Sequence, residues 1–206
     1  MDEQRPSAPL ASPLLVVLSG PSGVGKDAAL KRMDEMGCPL TTVVTATTRP
    51  QRPGEVHARD YLFLSPQEFD RLLEQGEFLE HATVYGHRYG VPKQQVREAL
   101  ARGEDVLIKA DVQGAATIRS LVPQAVLIFL AAPSLEELAV RLRQRKTESE
   151  DELGRRLRTA ERELEQQPRF DYVVVNHNDR LDEAVSRIQA IVEEEKRRGG
   201  RPPVRL

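Results

Sequence analysis

The chain has 206 residues, with 30 Lys and Arg against 32 Asp and Glu and a formal net charge of −2. That length suits one domain with insertions or two small ones, and 39% hydrophobic with 30% charged residues supports a soluble globular protein with a real core rather than a disordered chain. The near-neutral balance excludes a wholesale nucleic-acid coat. The single Cys38 excludes an intramolecular disulfide and a cysteine zinc site, and His57, His81, His87 and His177 lack metal-ligand spacing. The longest apolar runs, 14–18 and 125–132, fall far short of the ~18 residues of a membrane span. Asp2 and Glu3 stand where a signal peptide needs positive charge. A cytoplasmic setting with no membrane partner is expected.

In chain order, residues 1–12 read as a disordered leader. The apolar run 14–18 reads as a strand buried on both faces and stops at Ser19-Gly20-Pro21, where a glycine-rich loop opens a helix. Residues 46–92 break the pattern: they hold most of the aromatics and two β-type stretches, 61–64 and 78–84. Beyond them, helical patterns at 96–100, 135–142 and 181–192 alternate with buried-strand runs at 106–108, 126–130 and 172–175. Between the second and third of those helices, residues 141–158 carry seven Lys and Arg against four Asp and Glu, and 197–206 form a basic tail. Buried strands alternating with helices predict an α/β fold with a central parallel sheet. The segments 46–92 and 141–158 read as insertions at the strand ends, where open α/β sheets bind ligands. The core is then 13–45, 93–140 and 159–196.

Gly20-Pro21-Ser22-Gly23-Val24-Gly25-Lys26 matches G-x-x-x-x-G-K in the strand–loop–helix context that this motif requires. Its glycines let successive amides turn inward onto phosphate oxygens, the following helix adds its positive end, and Lys26 supplies a point charge. The next residue, where a Ser or Thr normally holds Mg2+, is Asp27, followed by Ala28. An aspartate there either binds the metal or repels the phosphates of the nucleotide.

Arg49 and Arg52 sit three apart on a proline-stiffened loop, each with a planar fork suited to a phosphate dianion, and Tyr61 and Tyr89 can add hydroxyl donors. The phosphate loop is followed by Thr47-Thr48-Arg49-Pro50, Arg52-Pro53-Gly54-Glu55, Asp60-Tyr61, Gly76-Glu77-Phe78-Leu79-Glu80, Tyr89-Gly90, Asp111-Val112-Gln113-Gly114 and Asn176. This ordered set resembles the guanylate kinase family from about residue 14 to 196. The resemblance implies a P-loop NTPase three-layer fold with a central parallel sheet, a mixed α/β nucleoside-monophosphate-binding insertion and a helical lid. It implies phosphoryl transfer from ATP to GMP with Mg2+, and no nucleic-acid partner.

Carried over residue by residue, it puts Gly20 to Asp27 and Asn176 on ATP, and Thr45, Arg49, Arg52, Glu55, Tyr61, Glu80, Tyr89 and Asp111 on GMP. Catalysis falls to Lys26 and the lid arginines Arg141, Arg145 and Arg156, and any protein ligands of the metal to Asp27 and Asp111. Glu80 would read guanine, because a carboxylate accepts two parallel hydrogen bonds from N1–H and the 2-amino group, and adenine offers neither. Two positions depart from the family: Val91 replaces a hydroxyl that would meet guanine O6, and Lys109 replaces an acidic residue. Lys109 could donate to O6 or pair with Asp111 or Glu80. Two rival readings remain: a ribose 1,5-bisphosphate kinase, and a non-catalytic module that binds proteins.

Overall fold

The computed structural model describes residues 12–84, 86–143 and 150–206; the expected leader, but for Ser12, and lid Arg145 lie outside them. Strand β1 (Leu15–Ser19) runs into the glycine loop, and α1 (Lys26–Glu35) leads to the short β2 (Thr41–Thr42). The first insertion holds β3 (Ala46–Thr47), β4 (Leu62–Phe63), α2 (Pro66–Glu74), β5 (Phe78–Val84) and β6 (His87–Pro92). Then follow α3 (Lys93–Ala101), β7 (Val106–Lys109), α4 (Val112–Leu121), β8 (Val126–Ala131) and α5 (Leu135–Arg143). Helix α6 (Glu150–Leu164), β9 (Tyr172–Val175) and α7 (Leu181–Arg198) complete the order.

The main sheet is parallel throughout, in the order β2-β7-β1-β8-β9. Alternation along β1 shows why its sequence is continuously apolar: Val16 and Leu18 pack with α1, α5 and α7, and Leu15 and Val17 pack with α3 and α4 on the other face. These are the three layers expected. The second sheet, β4-β3-β6-β5, is mixed, and it covers a small core of its own around Ala46, Phe69 and Phe78.

Helices α2 and α4 have no counterpart among the elements anticipated from periodicity. For α2 the signal was local: Ser65 accepts the Glu68 amide, Glu68 reaches back to the Ser65 amide, and Pro66 starts the helix. Helix α6 runs from the lid range to Leu164, and Ala160 packs in the core beside Leu138 and Leu142.

The basic tail is tied to the core. Helix α7 extends to Arg198, Arg201 pairs with the buried Glu195 and donates to the Gln124 carbonyl at 3.1 Å, and Val204 packs on the α3/α4 side of the core. A buried carboxylate requires such cations. Among the described residues no helix is long and apolar enough to cross a membrane.

Asp105, 6% exposed, links three elements: Oδ1 accepts the Leu14 amide at 2.9 Å, just before β1, and Oδ2 accepts Lys196 of α7 at 2.7 Å. Asp105→Ala leaves a buried amide without a partner and should lower the unfolding free energy by about 2 kcal/mol, read as a lower urea midpoint at unchanged m-value.

Candidate functional site

The parallel strands all end on one side of the sheet, and a cleft of about 790 Å3 opens there. Its floor is the glycine loop. Gly20, Gly23 and Gly25 have φ of 137°, 87° and 102°, which turns the loop amides inward at no steric cost. A side chain at Gly25 would also meet Asn176, whose Nδ2 donates to the Val24 carbonyl at 2.9 Å and braces the loop from behind. Lys26 lies across the loop, its ammonium 2.5 Å from the Gly20 carbonyl. Burial holds its pKa below the ordinary lysine value, against the attraction of Glu163 and Asp27.

The first insertion supplies one wall. Arg49 is buried against the Tyr61 ring (5.3 Å from its centroid), and its guanidinium donates to both Glu55 oxygens at 2.7 and 3.0 Å. Tyr61 and Tyr89 meet edge to face, 6.2 Å apart. Burial raises the Tyr61 pKa, so its hydroxyl stays protonated and able to donate. Arg49, Arg52, Tyr61 and Tyr89 all line the cleft. Glu55 does not; it also accepts the Arg52 amide at 2.8 Å, and so shapes the arginine loop from outside rather than touching the cleft.

Deeper in the cleft, Glu80 is 6% exposed beside Thr45, Tyr89 and Val91. A Cβ on Gly114 would collide with its carboxyl group, so only glycine permits this approach. Burial, with the nearby Asp111 charge, pushes the Glu80 pKa up to about 8. Thr45 Oγ1 is buried and has no hydrogen-bond partner among the described residues. Asp111 caps α4 by accepting the Gly114 amide at 2.7 Å, and it also lines the cleft.

Among the described residues, Lys109 pairs with Asp27 and Tyr61 rather than with Glu80 or Asp111. At the end of β7, its ammonium is 2.5 Å from Asp27 Oδ1 and 2.7 Å from the Tyr61 hydroxyl. Asp27, weighed from its sequence position as a metal ligand or a repulsive charge, pairs with this lysine.

The lid range contributes through α6. Arg156 donates to Ser22 Oγ at 2.8 Å, and Arg155, Arg158, Thr159, Arg162 and Glu163 also face the cleft. Arg141 is placed elsewhere: it donates to the Asn176 carbonyl at 2.7 Å and to Asn178 Oδ1 at 2.8 Å, behind the loop and outside the cleft lining. The contributions of Arg155, Arg158, Arg162 and Glu163 were missed from sequence. Their three- and four-residue spacing on one helix face was the available signal. Glu163 accepts the Ser22 amide at 3.3 Å, and burial raises its pKa against the pull of Lys26. Among the described residues, eight basic and four acidic side chains line the cleft, a surplus suited to phosphate anions.

A parallel α/β/α core whose first strand feeds a glycine loop and helix, with a basic cleft above it, defines a P-loop nucleotide-binding protein. The family model described as guanylate kinase matches residues 12–195, and the chain belongs to that family. Guanylate kinase 2, chloroplastic/mitochondrial, of Oryza sativa subsp. japonica is 47% identical over 193 residues, which cover 93% of this chain and 68% of that protein. The guanylate kinase of Gloeobacter violaceus is 47% identical over 190 residues, 91% of this chain and 92% of its own. The crystal structure of guanylate kinase from Anaplasma phagocytophilum superposes with a TM-score of 0.74 at 32% identity, covering 90% of this chain and 87% of that one.

Gly25→Ala forces a left-handed backbone on an L-residue and drives it into Asn176. ATP affinity should fall about 5- to 30-fold, given a cost of roughly 1–2 kcal/mol. Titration calorimetry checks the affinity, and a retained circular-dichroism spectrum confirms the fold.

Proposed function

We propose that the chain transfers the γ-phosphoryl group of ATP to GMP, and to dGMP, giving ADP with GDP or dGDP in a reducing, cytoplasmic setting. One observation carries the choice of acceptor: a buried carboxyl group, Glu80, faces the same cleft as the phosphate loop and the Arg49–Arg52–Tyr61–Tyr89 cradle. Guanine presents two adjacent N–H donors that a carboxylate accepts together, and adenine would leave the buried group unpaired. The unpartnered Thr45 hydroxyl is available to O6 and makes up for the hydroxyl missing at Val91. A ribose 1,5-bisphosphate has no base to satisfy Glu80. A pure binding module has no use for the buried Lys26 and the cations of α6.

No protein nucleophile is required. A GMP phosphate oxygen attacks the γ-phosphorus in line, and the chain aligns the pair and neutralises charge. The loop amides and Lys26 hold the donor phosphates, while Arg49, Arg52 and the two tyrosines hold the acceptor phosphate. Arg156 and its neighbours on α6 approach from above and exclude water. Arg141, braced against Asn176 and Val24, holds the loop rather than the phosphoryl group in flight, and we extend that role to no contact with substrate. Arg145, as a lid residue, remains part of the catalytic set.

Mg2+ takes oxygen ligands, keeps several waters, and draws the rest of its shell from substrate phosphates. No three His, Cys, Asp or Glu converge among the described residues, so the fit is to a metal carried on ATP rather than to a protein cage. Asp111 would hold it, keeping Oδ2 beyond its helix cap, whereas the Asp27 carboxylate is already matched by Lys109. When bound, the ion neutralises charge on the β- and γ-phosphates.

A coupled ADP-release assay with GMP, dGMP, AMP, UMP and ribose 1,5-bisphosphate should give turnover with the two guanine nucleotides alone; equal rates with AMP would sink the reading. Lys26→Ala should lower kcat at least ~1000-fold with the fold intact.

Glu80 gives a pH signature. The free carboxyl titrates near 8 and must be ionised to accept guanine, so GMP affinity should rise with pH and level off above about 8. At pH 7 binding should release nearly one proton, measured by calorimetry in buffers of differing ionisation enthalpy, and Glu80→Gln should abolish the release.

A further inference from the structure

We propose that Lys109 is a catalytic residue, a second phosphate-contacting ammonium that Asp27 holds between the donor and acceptor phosphates. The proposal rests on the ATP-to-GMP reading above and adds a residue to it.

Four observations meet at this side chain. First, β7 pairs with β1 in a register that sets Lys109 beside Leu18, so the lysine emerges at the sheet edge next to the glycine loop. Second, the ion pair is polarised across the cleft wall: the Lys109 side chain is 12% exposed and the Asp27 side chain 64%. The positive end is therefore the buried one, and the negative end faces water, where its repulsion of phosphate is screened. Third, an ammonium has three donor hydrogens. Asp27 and the Tyr61 hydroxyl take two, which leaves one for a phosphate oxygen. Fourth, by donating to the Tyr61 oxygen, Lys109 leaves the phenol its own proton to give, so it directs Tyr61 as a donor to the acceptor phosphate.

The pair also accounts for an aspartate directly after the loop lysine. Alone, Asp27 would set a negative charge beside the transferring group. Bound to Lys109, it contributes no net charge and fixes a cation that links the loop holding Lys26 to the tyrosine pair of the acceptor cradle.

The test compares the two ends of the ion pair in the full-length enzyme. Lys109→Met removes the ammonium, with Lys109→Gln as the isosteric alternative should Met not fold. Asp27→Asn removes only the counter-charge. If Lys109 contacts phosphate, kcat falls about 100-fold in the lysine variants and no more than about 5-fold in Asp27→Asn. A loss in Asp27→Asn as large as in the lysine variants overturns the proposal, as does a lysine variant within threefold of wild-type kcat. Without ATP or metal, Lys109→Met should weaken GMP binding about 10-fold and leave guanosine binding unchanged; equal losses for both ligands also overturn it.

Inorganic tripolyphosphate, which carries no base, separates this idea from the guanine reading. Unchanged tripolyphosphate affinity in Lys109→Met overturns the phosphate contact. Weakened tripolyphosphate affinity in a protein whose wild type ignores GMP overturns the acceptor assignment and keeps Lys109 on phosphate.

Discussion

Eight cationic side chains among the described residues line one cleft, and their mutual repulsion in a partly dry pocket is the constraint that the surrounding structure answers. Each answer is local. Glu55 grips Arg49 from outside the cleft, Asp27 grips Lys109, and the Gly20 carbonyl with the charge of Glu163 steadies Lys26. Cations held this way are in place before a substrate arrives, so little reorganisation is needed when phosphate charge develops. The balance stops short of neutrality, and the remaining positive field is what polyphosphates complete.

The parallel sheet concentrates these groups because all its strands finish on the same side. Strand β1 ends in the glycine loop, β7 ends in Lys109, and the Ala131 carbonyl at the end of β8 accepts the amide of Asn176, which follows β9. Two apolar faces, each buried under helices, keep that edge rigid. The functional groups are thus carried on the stiffest part of the molecule, and the insertion and α6 bring the remaining contacts to it.

The Glu80 end of the cleft uses the opposite device, polar groups buried away from water. Glu80 approaches the backbone of Gly114 so closely that no side chain fits between them, and its pKa rises to about 8. The unpartnered Thr45 hydroxyl sits in the same pocket. Burying such groups is costly unless a ligand supplies matching donors and acceptors.

Much of this was legible in the chain. Continuous apolar runs marked strands buried on both faces, G-x-x-x-x-G-K announced its own geometry, and Arg49, Arg52, Tyr61, Tyr89 and Glu80 lie together in the cleft as their motifs suggested. These signals are short in range: a periodicity, a glycine requirement and a two-arginine spacing each act within a few residues. The sequence also showed that Asp27 and Lys109 were unusual, but it could not pair residues 82 positions apart. Nor could it show that Glu55 supports Arg49 from outside the cleft lining, that Arg141 braces Asn176, or that α6 turns Arg155, Arg158 and Arg162 into the cleft. Those outcomes depend on which strands become neighbours and which helix face is buried. Composition, motif chemistry and fold class were therefore determined by the chain itself. The partners of each charge were decided only in the folded molecule, because an ion pair depends on a distance of a few ångströms that local sequence does not specify.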